Sequence, residues 1–257
     1  MESGNSRLSP SARRGLAIQR LVALALAPIS TFAVAGLLRV WLRLRVEGVE
    51  ATRRTYRALL AESDAPLLIC ANHLTLIDSA LIAWALGSPG WYLRHFSALP
   101  WNVPEQKNFA ATRLQRVLSY VLKCVPLTRG GDRADVAQTL SRFTHLLRTG
   151  EVGLLFPEGG RSRSGRVEVE RAAYGVGRIV KEVPGCRVLC CYLRGDLQHE
   201  YSDLPARGDR LRVTLAPLEP KTDLRGLRGS RDIARQITSK LAEMEATHFA
   251  RVEGVRR

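Results

Sequence analysis

At 257 residues the chain is long enough for one sizeable core, and its composition marks no second domain of comparable size. The 39 Lys and Arg against 24 Asp and Glu leave a net +15, which favours anionic partners (nucleic acid, an anionic membrane surface or phosphorylated substrates) without choosing among them. Five cysteines, an odd number with no C-x-x-C spacing, exclude a disulfide framework and point to a reducing, cytosol-facing compartment; Cys190 and Cys191 read as small buried strand residues.

Residues 1–14, rich in Ser, Gly and Arg, are expected to be mobile. Residues 21–38, LVALALAPISTFAVAGLL, carry no charge and are flanked by Arg13, Arg14 and Arg20 before and by Arg39, Arg43 and Arg45 after. About 20 residues cross a hydrocarbon core as helix, so the run is borderline for a span, and Pro28 with Ser30 and Thr31 interrupts its middle. Residues 15–39 are expected to associate with a membrane, either across it or as a bent pair of short helices in one leaflet with arginines at the headgroups. A cleaved signal peptide and a buried helix of the globular domain are the alternatives.

Beyond this segment, VWLRLRV alternates Val40, Leu42, Leu44 and Val46 against arginines, the period of a half-buried strand. A short helix over 50–61 and the strand APLLICAN follow, then a helix over 76–86 closed by Gly87. Asp132 or Asp135 can cap a helix whose face is Val136, Leu140, Phe143 and Leu147, stopped by Gly150. EVGLLF reads as a buried strand, 171–182 as a helix, CRVLCCYL and LRVTLAPL as strands. A last helix carries Ile233, Ile237, Leu241 and Met244. Strands alternating with helices predict an α/β layered fold, a largely parallel central sheet flanked by helices and preceded by the N-terminal membrane-associated segment.

The chemistry concentrates at strand ends. His73 follows the apolar run PLLIC, and the next acid, Asp78, stands five residues on. In a continuous helix five residues turn the chain through about 500°, which would put the two side chains on different faces. If the strand instead ends at His73, a turn can fold the ring back over the first helical turn. Asp78 then fixes the tautomer and leaves the other nitrogen to take a proton from an incoming hydroxyl. A structural histidine is the competing reading of this spacing. No G-x-S-x-G elbow and no matching cysteine supports an acyl-enzyme, and no H-E-x-x-H or clustered histidine set supports a metal. LLFPEGGRSRSG presents glycines and alternating arginines after a strand, an anion loop or else a solvated basic turn, and Arg129 closes another apolar run. A base, an arginine and an arginine-glycine loop at three strand ends describe a site for a phosphorylated alcohol. Leu118, Val121 and Leu122 either line an acyl tunnel or pack in a core.

NHLTLID resembles the N-H-x4-D block, and FPEGGRS the F-P-E-G-T-R-S block, of the glycerophospholipid acyltransferases, the group containing 1-acylglycerol-3-phosphate acyltransferase; the likeness extends over about 40 to 220. The resemblance implies an acyltransferase domain over 40–257 that moves an acyl group from acyl coenzyme A or acyl carrier protein to a lysophospholipid hydroxyl, with no other cofactor. It implies His73 as base and Asp78 as its orienting group, with Arg129, Glu158, Gly159 and Arg161 around the acceptor phosphate. Lysophosphatidic acid giving phosphatidic acid is the leading reaction it implies, at the cytoplasmic face of the cell membrane, with membrane lipid, the acyl thioester donor and acyl carrier protein as partners. Departures lie on the acceptor side: Pro126-Leu127-Thr128-Arg129 stands where Phe-Ile-Asp-Arg is common, Gly160 where threonine is usual, Cys190 where a strand proline is expected. SALPWNVPEQKNF also replaces the Lys-Glu-Leu often found after the first helix. The same chemistry on a lyso-ornithine lipid, or phospholipid remodelling, is therefore kept beside it. A membrane-tethered basic binding protein is a third reading, but the motifs and aromatic-interleaved basic stripe of a nucleic-acid binder are absent.

Overall fold

The computed structural model describes residues 8–109, 112–128 and 130–255. The chain runs α1 (Pro10–Gly36), continued by a π turn over Leu37–Trp41, β1 (Arg45–Val46), α2 (Val49–Glu62), β2 (Leu67–Ala71), α3 (Asp78–Leu86), α4 (Pro89–Arg94) and β3 (Trp101–Asn102). Then come α5 (Gln106–Phe109), α6 (Arg113–Val121), α7 (Arg133–Arg148), β4 (Gly153–Leu155), α8 (Tyr174–Glu182), β5 (Arg187–Gly195), β6 (Arg210–Leu218) and α9 (Gly226–Val255).

The six strands form one sheet in the order β1-β6-β5-β2-β4-β3, parallel at every pairing except β5 with β6. Apolar residues on both faces of the central strands explain their unbroken hydrophobic runs. On β2, Leu68 and Cys70 face the core made with α7, α8 and α9, while Leu67, Ile69 and Ala71 face the core made with α2 and α3. On β5 the same alternation sends Val188, Cys190 and Tyr192 one way and Leu189, Cys191 and Leu193 the other. The sheet is thus a layer between two helical layers, and the carboxyl ends of β2 and β4 open on one edge. Close approach of α8 to α9 needs Gly177, where an added Cβ would lie 1.9 Å from Ser230 O.

Two expectations are corrected. The alternation over 40–46 is not a strand: the π turn runs to Trp41, only Arg45–Val46 pairs, and Val40 and Trp41 are exposed. The buried set is Leu38 and Leu42, one helical turn apart, with Arg43 at φ 55 reversing the chain before Leu44 is buried. Nor does Pro28 divide the apolar run, for α1 passes straight through it. The carbonyl that loses its helical donor to the proline is that of Leu24, and the Thr31 hydroxyl donates to Ala27 O at 2.6 Å in the next turn. Residues 1–7 lie outside the described residues, and α1 already begins at Pro10.

Buried polar groups fasten α1 to the domain. Glu151, 3% exposed, accepts from Arg20 Nε at 2.6 Å, Lys123 Nζ at 2.7 Å and Trp101 Nε1 at 2.7 Å. Burial pulls the Lys123 ammonium down to about 8, against the upward pull of Glu151. Next to it, Gln19 Nε2 donates to the carbonyls of Tyr120 and Cys124 at 3.1 and 2.9 Å.

Candidate active site

Strand β2 delivers the site. Beyond its last residue, Asn72 clamps the chain to β5, donating to Leu193 O at 2.9 Å and accepting from Leu193 N at 2.8 Å. The next residues turn, and α3 begins at Asp78, whose carboxylate reaches back over the turn. Asp78 Oδ2 accepts from the backbone N–H groups of Leu74 at 2.6 Å and Thr75 at 2.8 Å, and Oδ1 accepts from the Thr75 hydroxyl at 2.6 Å. His73 Nδ1 lies 3.0 Å from Oδ2. A carboxylate only 1% exposed needs such donors, and the start of α3 adds a favourable partial charge. With Nδ1 donating to Asp78, Nε2 carries the lone pair and can accept a proton. The imidazole, 12% exposed, stacks on Phe156 with centroids 4.0 Å apart and planes 15° from parallel.

Strand β4 brings the second block alongside. Ser162 N donates to His73 O at 2.9 Å, so the loop and the histidine turn are one hydrogen-bonded unit. Gly159 sits at φ 68, where other residues are strained, and its N–H closes a turn onto Phe156 O at 3.0 Å. Glu158 is buried under the loop, with Oε2 accepting from Glu168 N at 3.4 Å. Burial pushes its carboxyl up to about 7; the backbone N–H groups of Glu168 and His73 oppose this, and the charges of Glu245 and Glu168 reinforce it.

Arg161 is held by the segment between β5 and β6. Its Nη1 donates to Ser202 O at 2.9 Å and to Asp203 Oδ1 at 2.8 Å, and its guanidinium lies 5.4 Å from the Tyr201 ring centroid. That segment is pinned to the histidine turn by Ser202 N to Leu74 O at 3.0 Å and Leu76 N to Asp203 O at 3.1 Å. The structure therefore brings His73, Asp78, Glu158, Gly159 and Arg161 to one edge of the sheet; Arg129 lies outside the described residues. Cys190 is in mid-strand, fully buried and in register with Cys70, away from this edge. Among the described residues no group of three or more His, Cys, Asp or Glu gathers as a metal site.

Beside the turn lies an apolar cavity of about 260 Å³, walled by α1, α3 and α6. Leu76 and Ile77 of the turn line it, as do Val34, Ala80, Leu118, Val121 and Leu122. Three contributors to the site escaped sequence reasoning: the Thr75 hydroxyl, the Asn72 clamp and the segment around Asp203. The T-x-x-D spacing of Thr75 and Asp78, a helix-start pattern, is a signal that finds the first. Nothing local marks Asp203, because its place depends on the antiparallel return of β6.

A histidine-carboxylate couple with a free ring nitrogen, joined to a glycine-arginine loop and an apolar cavity at the carboxyl edge of an α/β sheet, defines a group-transfer enzyme for an amphipathic substrate. The sequence model of one family, described as Acyltransferase, matches residues 43–194, well over half of the chain. The chain belongs to this family, that of the glycerophospholipid acyltransferases, and is an O-acyltransferase acting on lysophospholipid-type acceptors. No protein of curated function matches it.

The raised Glu158 pKa has a consequence for stability. Below about pH 4.5 folded and unfolded chains both hold this proton; as pH rises toward about 7 the unfolded chain releases it and the folded chain retains it, so stability falls through that window. Glu158→Gln removes this titrating group. The difference in thermal midpoint between Glu158→Gln and wild type should therefore shift in favour of the variant from about pH 5 to about pH 8. A pH-independent difference would show that Glu158 is not buried with a raised pKa.

Proposed function

We propose that the protein transfers a fatty acyl group from an acyl thioester, on coenzyme A or acyl carrier protein, to the hydroxyl of lysophosphatidic acid, giving phosphatidic acid at the cytoplasmic face of the membrane. The observation that carries this reading is the His73–Asp78 contact of 3.0 Å at the end of β2, tied to the Pro157–Ser162 loop through Ser162 N and His73 O. His73 Nε2 takes the hydroxyl proton as the oxygen attacks the thioester carbonyl. The tetrahedral intermediate then expels the thiolate, which recovers the proton from His73. No covalent enzyme intermediate is needed. Arg161 and Arg129 hold the acceptor phosphate, the guanidinium fork suiting its oxygens better than an ammonium. Glu158 and Gly159 shape the loop that presents Arg161. The cavity between α1, α3 and α6 takes an acyl chain.

One observation favours a second acceptor class for the same chemistry. Asp203, 75% exposed, sits on Arg161 where a phosphate would approach. A head group with both an anion and an ammonium, as in a lyso-ornithine lipid, would pair with both residues, whereas a phosphomonoester must displace the carboxylate.

His73→Ala should lower acyl transfer by about 10²-fold or more, the usual scale for a general base, in an assay that resolves products from one labelled acyl donor and several lyso-lipids. Wild-type turnover in the variant sinks the assignment, and the product pattern of the wild type decides between the acceptors. Ala80→Phe, which fills the cavity wall, should shift preference toward donors several methylenes shorter. If it changes only the thermal midpoint, the cavity is a packing defect and not a chain site.

A further inference from the structure

In an ordinary surface helix the apolar stripe faces the core and polar residues face water. Helix α6 is reversed. Its apolar residues Leu114, Val117, Leu118 and Val121 recur at helical spacing, yet Leu114 is 68% and Val117 58% exposed, and its one buried residue is Ser119. Tyr120 and Leu122 extend the exposed surface. Thr112 and Gln115 cap the helix reciprocally, so the outward orientation belongs to a well-formed element. Among the described residues nothing covers this stripe.

The same is true of α1 next to it. Its domain-facing seam is Leu16, Gln19, Ala23, Ala27 and, past its end, Leu38, while Leu21, Ile29, Phe32 and Trp41 are exposed. The two surfaces adjoin at the cavity, which Leu118 and Leu122 line from α6, and Val34 and Ala35 from α1. Exposed arginines border the combined face: Arg13 and Arg14 at one end of α1, Arg39 and Arg43 at the other, Arg113 and Arg116 on α6. A contiguous apolar field across two helices is the kind of surface that marks an interaction face, and the cations at its rim complement anionic headgroups.

Packing also fixes how α1 meets lipid. By length and composition it could cross a membrane. But it lies against the domain from Leu16 to Leu38, about 33 Å at ~1.5 Å per residue, as much as a whole hydrocarbon core. A spanning α1 would carry Glu151, Lys123 and the sheet edge into the bilayer with it.

We propose that α6 is a second membrane-inserting element, coplanar with α1, and that the two lie in the interface of one leaflet of anionic phospholipid without crossing it. The inference rests on the proposed membrane association and not on acyl transfer. Leu118 and Leu122 are then both membrane contacts and the lip of the cavity, which opens sideways to acyl chains in that leaflet.

Co-sedimentation of the full-length protein with phosphatidylglycerol vesicles tests it, because the readout is binding and not turnover. Leu114→Ser with Val117→Ser should weaken partitioning by about tenfold or more, given the area of two aliphatic side chains returned to water. Arg113→Gln with Arg116→Gln should weaken binding to phosphatidylglycerol but not to phosphatidylcholine vesicles. Tags at the two termini should be accessible from the same side of sealed vesicles. Wild-type binding by the α6 serine variant, with a wild-type thermal midpoint, overturns the role of α6, and tags on opposite sides overturn the in-plane geometry. A lipid-free dimer that sedimentation shows to be lost in the serine variant assigns the face to a second copy instead.

Discussion

The site depends on one carboxylate. Asp78 is almost fully buried, and it is tolerable there because four donors point at it: two backbone N–H groups, a hydroxyl and an imidazole nitrogen. These donors come from three consecutive residues, His73 to Thr75, so the same bonds that satisfy the charge dictate the turn between β2 and α3. Removing the carboxylate would leave buried N–H groups without acceptors, at about 1–3 kcal/mol each, besides releasing the ring. Local structure and chemistry are inseparable at this point: the group that folds the turn also selects which nitrogen of His73 is left to act.

The sheet supplies the rest of the geometry. Because β2 and β4 are adjacent and parallel, their carboxyl ends emerge together, and two blocks some eighty residues apart in sequence meet through Ser162 N and His73 O. The antiparallel return of β6 brings the Asp203 segment onto the same turn, where it holds Arg161. Glu158, below the loop, contributes a carboxyl that burial pushes up to about 7.

Much of this was legible in the residues. The β2, α3, α7, β4, β5, β6 and α9 segments follow from hydrophobic period and from stop signals such as Gly87 and Gly150. The strand read over Val40 to Val46 failed for a physical reason. Leu38 and Leu42 bury at helical spacing, and a positive φ at Arg43 returns Leu44 to the core, so alternation in sequence arose without an extended chain. Pro28 likewise does not end α1: its missing N–H removes one backbone hydrogen bond, that to Leu24 O, from a helix held along its length by packing on the domain. The reversed polarity of α6 could not be read from its sequence, since periodicity reveals an apolar stripe but not the direction in which it points.

The central claim is that Asp78 aims His73 at an acceptor hydroxyl, and steady-state transfer of a labelled acyl group by Asp78→Asn tests it most directly. Asparagine keeps the size and an acceptor oxygen but not the charge. The account predicts turnover lower by about 10²-fold in a variant that still unfolds cooperatively and still binds the acyl donor. A cooperatively folded Asp78→Asn protein with wild-type turnover would contradict it.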